Sequence, residues 1–481
     1  MGEPVLLAVD KVVVDEEVYP RSRIDDAVVA RYAECLREGA SFPPVEVEPR
    51  NGVYRVLDGV HRVLAHKQAG MEAVPAVVVD LGSRDPLLYA AERNRHGQPL
   101  RDDDARSVAR RAFERNPGLT VKEIALAVGR SERAVRDYIR DLKARYELQR
   151  DLTIFKLRLL GWTQEQIADA VGLAQSVVSQ KLFIENGKIA DSDKQDFPAL
   201  VAETAMSIVA DYRKGFSVAE IAEKNKWPEP LVWAVVLRGK DDLARFKELG
   251  WPLRTWDLWN FNDVDSRFGD PWPGNIPAQL VAHVLYFFTQ AGALVFDPMA
   301  GGGVVPDVCL AFGRRCYAVD MKARRERPEI VRHEWKPGDL CWPEWLKAKP
   351  DLIFWDPPYF RKMAADYGPG SISALPREEY LQFFRDALQL FAGRTAPGAR
   401  LAFLIADWRE FESTPALDED ESGAVLLYHY WRIMEEAEWR VTHRIECPLS
   451  TQRMNGGVVQ AMQEKRILGV VSRTLLVARR V

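Results

Sequence analysis

The residues of this chain best placed to do chemistry form the run Asp356-Pro357-Pro358-Tyr359, directly after the apolar stretch Leu352–Trp355. An exocyclic amine on an aromatic ring is a poor nucleophile, because its lone pair is delocalised into the ring. A carboxylate at Asp356 and a fixed backbone carbonyl at Pro357 can each accept one N–H hydrogen and draw the nitrogen towards tetrahedral geometry. Consecutive prolines stiffen the loop, and polar contacts of this kind become catalytic only when held in place beforehand. Tyr359 adds an aromatic face on which a base flipped out of a helix can stack. The same residues would also serve as a plain turn after a strand, so the reading depends on what else reaches that place.

A second group of residues lies upstream. Leu294–Phe296 reads as a buried strand, Asp297-Pro298-Met299-Ala300-Gly301-Gly302-Gly303 as a glycine-rich turn, and Pro306–Phe312 as a helix. Strand, side-chain-poor turn and helix together let a nucleotide cofactor lie against the backbone at a sheet edge. The spacing is not the dinucleotide pattern Gly-x-Gly-x-x-Gly. The next apolar run, Cys316–Val319, ends in Asp320, and a carboxylate about 20 residues beyond such a turn can accept hydrogen bonds from ribose hydroxyls. Asp339, in Gly338-Asp339-Leu340, is a third candidate acid, although that tripeptide is also a common loop. Asn275-Ile276-Pro277 and a helical stretch Ala278–Thr289 precede the turn. Leu401–Ile405 reads as a further strand, and Val441–Cys447 with Thr474–Ala478 as a closing hairpin. The stretch Phe360–Ser373, with Arg361, Lys362 and Tyr367, is either a loop that holds a target strand or an ordinary solvated one.

The elements that must position these groups run through 481 residues, too many for one core and suited to two to four domains. Five scattered cysteines without a Cys-x-x-Cys pair argue against a disulfide framework or structural zinc. The seven histidines form no metal-spaced cluster, so no metal is expected. No signal peptide or membrane-length apolar run is seen, which leads to the expectation of a soluble, cytoplasmic protein without a membrane partner. Net charge is −4, yet residues 106–150 hold 12 Lys/Arg against 6 Asp/Glu, and residues 441–481 hold 7 against 2. Two basic segments in an acidic chain suit local contact with a polyanion.

Between Pro86 and Lys240 the pattern is helical, and it repeats. Thr120–Ile139 aligns with Thr163–Leu182 at an offset of 43, matching Ile124 to Ile167, Ala125 to Ala168, Gly129 to Gly172 and Val135 to Val178. This is a helix-turn-helix pattern: the small Ala lets two helices approach, and Gly takes the positive φ of the turn. The second helix of the first copy presents Arg133, Arg136 and Arg140, suited to phosphates or guanine edges. That of the second copy presents Gln175, Ser176, Ser179 and Gln180, able to hydrogen-bond to bases. A third copy, Ser217–Val236, has Lys226 at the turn position and reads as degenerate. Packed helix pairs without DNA contact are the alternative.

Two resemblances follow from these residues. Pro43–Asp80, within roughly residues 5–97, resembles the ParB-like/sulfiredoxin-like domain, and the turn Gly59-Val60-His61-Arg62 resembles the family's Gly-x-x-Arg turn. The resemblance implies CTP at Gly59, His61 and Arg62, with Glu92, Asn94 and His96 in a second phosphate-contacting segment. The departures at Val60 and His61 leave open a retained scaffold for DNA binding or homodimerisation without nucleotide. Val60 also stands where sulfiredoxin requires cysteine.

Residues 253–481 resemble the N6-adenine/N4-cytosine DNA methyltransferases. The glycine turn is similar to their "DPFxGxG" motif with Met299 for Phe, and Asp356–Tyr359 to their DPPY motif. The resemblance implies an S-adenosylmethionine site at Asp297, Pro298, Ala300, Gly301, Gly303, Asp320, Asp339 and Asn275, and catalysis at Asp356, Pro357, Pro358 and Tyr359. The expected fold is multidomain α/β: a small α+β ParB-like domain (1–97), a helix-turn-helix domain (98–150), a second helical region (151–245) and a Rossmann-like class I methyltransferase domain with a mostly parallel seven-stranded sheet (246–481). The expected function is methylation of double-stranded DNA at adenine N6, in a nucleoid-associated protein of a prokaryote or mobile element, with or without a restriction partner. Cytosine N4 is the nearest enzymatic alternative, and a ParB-like CTP/DNA-binding regulator with an inactive methyltransferase half is the other.

Overall fold

The computed structural model describes residues 3–94, 99–183, 197–198, 200–261, 264–322, 324, 326–360, 371–409, 423–424, 426–448, 456–466, 470 and 472–481. The chain forms two compact units, Met1–Arg150 and Asp151–Val481, and the division falls inside the helix Arg140–Leu159.

The first unit carries a five-stranded sheet of β1 (Val5–Ala8), β2 (Val12–Val13), β3 (Val45–Arg50), β4 (Val53–Asp58) and β5 (Ala73–Val78), in the order β1-β5-β3-β4-β2. Alternation along β3 puts Val45 and Val47 into the core with Val56, Val63 and Val74. Helix α1 (Asp26–Arg37) is capped by the Asp25 carboxylate, which accepts from the Ala27 and Val28 amides. Helix α2 (Val60–Ala69) follows β4 with a single residue between them. That residue is Gly59, whose φ of 94° turns the end of β4 straight into the helix. Helices α3 (Pro86–Arg93), α4 (Asp102–Arg115), α5 (Val121–Val128) and α6 (Glu132–Tyr138) enclose a separate core that includes Leu87, Val108, Phe113, Ile124 and Val135.

After α7 (Arg140–Leu159) come α8 (Gln164–Val171), α9 (Gln175–Leu182), α10 (Ala202–Arg213), α11 (Val218–Asn225) and α12 (Glu229–Val236). The three repeat copies share one local construction. Each first helix opens on a capping box, Thr120 with Glu123, Thr163 with Gln166 and Ser217 with Glu220. Each closes on a left-handed residue, Gly129 (φ 66°), Gly172 (φ 65°) and Lys226 (φ 59°). The third copy therefore keeps the backbone despite its lysine, at a cost of about 1–2 kcal/mol. What it lacks is a free second helix. Leu231 to Val236 are all buried, and α12 packs on the helix that follows the glycine turn.

The second unit is completed by α13 (Asp242–Leu249), α14 (Ala278–Phe288), β6 (Leu294–Asp297), α15 (Val304–Ala311), β7 (Arg315–Asp320), β8 (Ile330–Arg332), β9 (Leu352–Trp355), α16 (Arg377–Arg394), β10 (Arg400–Ile405), the ribbon β11 (Trp408–Arg409) and β12 (Gly423–Ala424), α17 (Leu427–Glu436), β13 (Trp439–Pro448), α18 (Gly456–Lys465) and β14 (Ser472–Arg480). Seven strands form one sheet in the order β13-β14-β10-β9-β6-β7-β8. Strands β10, β9, β6, β7 and β8 are mutually parallel, and β14 runs antiparallel to both its neighbours. Strands β6, β9 and β10 are apolar on both faces, as expected where helices cover both sides.

The helices from Leu152 to Leu249 share one apolar core with this sheet. The change from helical to strand pattern near 240–252 is thus a change of secondary structure inside one unit. Two buried ionic ties reinforce it. Arg314, 1% exposed, donates to both Asp242 oxygens at 2.7 Å. Lys156 pairs with Glu329 at 2.6 Å and with Asp307 at 3.6 Å. Among the described residues no helix is long and apolar enough to cross a membrane.

Candidate active site

The chain leaves β6 for β7 and β8 on one side and then crosses back to β9 on the other. The gap between β6 and β9 is therefore the point where strand order reverses, and crevices open there at the carboxyl ends of parallel strands. The register pairs Val295 with Leu352 and Phe296 with Ile353. Asp297 and the glycine turn thus leave the sheet beside Asp356 and its loop. The cleft between them encloses about 1080 Å³ including its mouth. Its lining includes Asp297, Pro298, Ala300, Gly301 and Gly302 from the turn, Asp320, Asn275, and both Asp356 and Pro358. Pro357 is buried, Gly303 lies behind the turn and Tyr359 is turned onto Asp356; none of the three lines the cleft directly.

The turn is held by its own backbone and by Asp320. The Ala300 amide donates to the Val319 carbonyl (3.0 Å), and the Gly301 amide to Asp320 Oδ2 (2.9 Å). Asp320 Oδ1 accepts from the Lys322 amide (2.9 Å). A carboxylate has about four acceptor sites, so this one can hold the turn and still take ribose hydroxyls. Gly301 sits at φ 47° against the Trp272 indole. A Cβ on Gly302 would meet the Asp270 carbonyl at 2.6 Å and would strike Asn275 Oδ1. The strap carrying Asp270, Trp272 and Asn275 crosses this close to the glycines, which only hydrogen at Cα permits. Asn275 Nδ2 donates to Asp270 O (2.6 Å), and Asp270 N to Gly302 O (2.9 Å).

Behind the turn, Arg327 donates to Gly303 O (2.8 Å) and to Asp307 (2.9 and 3.0 Å), and it pairs with Glu329 at 2.6 Å. Arg324 donates to Gly301 O (2.8 Å) and to Asp270 (2.9 Å). Burial alone would raise the Asp307 carboxyl, but the charges of Arg327 and Lys156 hold it below its ordinary value. Asp297 has no such cation. Burial, with Asp320 and Asp356 as like-charged neighbours, pushes its carboxyl well above the usual range, and its Oδ1 accepts from the Met299 amide (3.1 Å).

In the catalytic-loop candidate, the half-buried Tyr359 donates its hydroxyl to Asp356 Oδ1 (2.7 Å). Burial and the Asp356 charge keep that phenol well above its ordinary pKa, so it remains a donor. Arg361, Lys362 and Tyr367 lie outside the described residues.

Asp339 is not among the residues that line the cleft. It is exposed on a turn closed by its own amide to Lys336 O (3.0 Å). The wall nearest to it is built instead by His333, Glu334, Trp335 and Pro337, with Trp335 Nε1 donating to Pro298 O (2.7 Å). Sequence reasoning missed this wall and Trp272. Neither carries a pattern of its own, and each is brought in by β8 and by the strap.

Arg133 and Arg136 on α6 are exposed, as is Arg140, which is not on that helix as the repeat suggests but opens α7 beyond the break at Ile139; Arg136 pairs with Glu132 at 2.5 Å and Arg140 with Asp137. On α9, Gln175, Ser176, Ser179 and Gln180 are exposed, while Val178 and Leu182 are buried. In the first unit Arg62 donates to Asp58 (2.6 Å) and to the Pro43 (2.6 Å) and Pro44 (2.8 Å) carbonyls. His61 Nε2 accepts from the Asp25 amide (3.1 Å), Glu92 pairs with Arg84 (2.6 Å), and Asn94 Oδ1 accepts from Arg21 (3.2 Å). His96 lies outside the described residues.

Residues 5–94 match the family model of the ParB N-terminal domain. The chromosome-partitioning protein Spo0J of Thermus thermophilus is 31% identical over 124 residues, covering 26% of this chain and 45% of that protein. A possible regulatory protein of the streptomycin biosynthesis operon of Streptomyces griseus is 32% identical over 117 residues, covering 24% and 32%. The chain thus spans less than half the length of these relatives. Solved structures that resemble it include methyltransferases. One is geranyl diphosphate C-methyltransferase of Streptomyces coelicolor in complex with Mg2+, geranyl diphosphate and S-adenosyl-L-homocysteine (15% identity, 47% of this chain and 91% of that chain, TM-score 0.28). The chain is thus mixed α/β, with a ParB-like N-terminal domain.

Proposed function

We propose that this protein transfers a methyl group from S-adenosylmethionine to an exocyclic amine of a DNA base, adenine N6 before cytosine N4. The observation that carries the reading is one cleft lined by the glycine turn, Asp320, Asp356 and Pro358 together. The residues present suit the cofactor: glycines whose missing side chains leave a cradle, and a carboxylate with acceptor capacity to spare. When bound, S-adenosylmethionine supplies an electrophilic methyl on a sulfonium.

The chain's own groups do the rest. Asp356, which lines the cleft, accepts one amine hydrogen and draws the nitrogen towards tetrahedral geometry; the acceptor expected for the other hydrogen, the Pro357 carbonyl, belongs to a residue set behind the lining. Tyr359 steadies Asp356 through its hydroxyl and offers its ring to the flipped base. Asp320 holds the ribose end, and the strap through Asn275 and Trp272 covers the turn and keeps water from it. Transfer would be a direct in-line displacement in which the amine nitrogen gains the methyl as the carbon–sulfur bond breaks, the neutral thioether leaves, and the surplus amine proton passes by way of Asp356 to solvent.

DNA is engaged by Arg133, Arg136 and Arg140 and by Gln175, Ser176, Ser179 and Gln180. The exposed ion pairs of Arg136 and Arg140 are each worth only about 0.3–0.5 kcal/mol, so phosphates can displace them. A second reading, a CTP- and DNA-binding regulator, is favoured by the ParB N-terminal match. In that reading CTP at Gly59–Arg62 has to replace Asp58 and the Pro43 and Pro44 carbonyls as partners of Arg62.

Titration calorimetry separates the two. The enzyme reading requires saturable S-adenosylmethionine binding that Asp320→Ala weakens at least about tenfold, the loss of a charged hydrogen bond, and that Asp356→Ala leaves in place. No heat from S-adenosylmethionine, with DNA-dependent binding of CTP, selects the regulator.

A further inference from the structure

The catalytic tetrapeptide has an unusual problem of support. Two of its four residues are prolines and carry no N–H. The backbone near Asp356 can be gripped through carbonyls, or through the amides that follow at Tyr359 and Phe360. One side chain takes the first route. Tyr380, on the first turn of α16 and fully buried, donates its hydroxyl to the Pro358 carbonyl (3.1 Å). The same oxygen accepts from the hydroxyl of Tyr430 on α17 (3.1 Å), and the Tyr380 ring packs on that of Phe360. A phenol has one donor and two acceptor sites; here the donor is spent on Pro358 and an acceptor on Tyr430.

The geometry of this node reaches the reacting groups in two steps. Pro358 and Phe360 flank Tyr359, so Tyr380 holds the chain on both sides of it, by its hydroxyl before and by its ring after. Tyr359 in turn donates to Asp356 Oδ1 at 2.7 Å. The Tyr380 ring cannot drift, because it packs at 5.1 Å from Phe360 and 4.9 Å from Phe384, which itself lies 5.1 Å from Trp355 at the end of β9. Burial raises both phenols above their ordinary range, so they remain protonated donors at neutral pH.

We infer that Tyr380, backed by Tyr430, is a positioning residue that sets the Asp356–Tyr359 loop in the conformation that captures the amine. The inference rests on the methyl-transfer reading above. Tyr430 acts only through Tyr380, so the two form a series and not two independent supports.

The test uses the full-length protein, Tyr380→Phe, Tyr430→Phe and the double variant, with three readouts: amide hydrogen exchange, S-adenosylmethionine binding, and steady-state methyl transfer. In Tyr380→Phe, exchange at Phe360 rises at least about tenfold while Leu352–Trp355 stays protected, and kcat falls about tenfold or more, the worth of one lost buried hydrogen bond. KM and S-adenosylmethionine affinity stay within about twofold, because no contact to the cofactor is lost. Tyr430→Phe gives a smaller loss, and the double variant matches Tyr380→Phe alone. Should Tyr380→Phe fail to fold, Tyr430→Phe still reports through Phe360 exchange.

Unchanged exchange at Phe360 overturns the clamp. Faster exchange with unchanged kcat overturns the positioning role, and losses that multiply in the double variant overturn the series. A wild type that binds no S-adenosylmethionine and transfers no methyl group refutes the enzyme reading itself, and the positioning role with it. That outcome is seen before any variant is compared.

Discussion

Removing the guanidinium of Arg327 tests how the second unit holds its glycine turn. Arg327 is 6% exposed and serves Gly303 O, Asp307 and Glu329, both acids being 1% exposed. Arg327→Met keeps the length of the side chain and deletes the charge. Lys156 is then left to balance two buried carboxylates, one of them 3.6 Å away. Breaking a buried ion pair from one side costs about 3–5 kcal/mol. At about 2.1 cal/mol/K per residue, a unit of this size unfolds with roughly 0.7 kcal/mol/K, which converts the loss to about 4–7 °C in melting temperature.

The sign with pH follows from the same groups. In the wild type Asp307 is held below its ordinary value, so its contribution is present above the unfolded pKa and disappears as pH falls through the folded one. In the variant the stranded carboxylates take up a proton more readily than in the unfolded chain, so the deficit is largest near pH 8 and shrinks towards pH 5. Differential scanning calorimetry at both pH values reads this, with the exposed Arg440→Met as control. A shift below about 1 °C, or one equal at the two pH values, would refute the reasoning.

Three further outcomes follow. Gly302→Ala places a Cβ 2.6 Å from the Asp270 carbonyl; the strap must move, so stability falls by about 1–3 kcal/mol, and calorimetry should find S-adenosylmethionine bound at least about tenfold more weakly. A chain beginning at Asp151 should fold and melt cooperatively, whereas one beginning at Asp241 exposes the face of α15 that α12 covers and loses Lys156; equal melting curves would contradict this. Burial holds His283 neutral, with its pKa lowered from 6.5 to about 4. The unfolded chain therefore binds a proton that the folded one refuses between those values, and about 3 kcal/mol of stability is lost as pH falls through that window. Denaturant unfolding from pH 7 to 4 should show that slope, and His283→Gln should flatten it.

The sequence exposes those parts of the fold in which local chemistry and periodicity agree. Thr120, Thr163 and Ser217 cap helices where an acid or amide follows three residues later, and strands β6, β7, β9 and β10 are continuous apolar runs. Helices α16 and α17 were not anticipated, although Tyr380, Phe383, Phe384, Ala387, Leu388 and Phe391 lie at helical spacing on one buried face. At the site, the turn, Asp320 and Asp356 are legible because motif chemistry is local. Trp272, Glu334 and Trp335 are not, since each reaches the cleft through a loop whose course depends on tertiary contacts. Asp339 illustrates the converse, a plausible tripeptide that the fold turns outward. Lys226 shows that a missing glycine does not abolish a turn when the rest of the helix pair supports it.

The Asp356 loop and the glycine turn line a single cleft, where, we propose, a base amine is methylated. Incubating double-stranded DNA with the protein and S-adenosylmethionine labelled in its methyl group, then digesting to nucleosides for mass spectrometry, tests it directly. The account predicts label in N6-methyladenine with the wild type and none with Asp356→Ala, at matched S-adenosylmethionine occupancy. Label in no nucleoside with the saturated wild type, or equal label with Asp356→Ala, would contradict it.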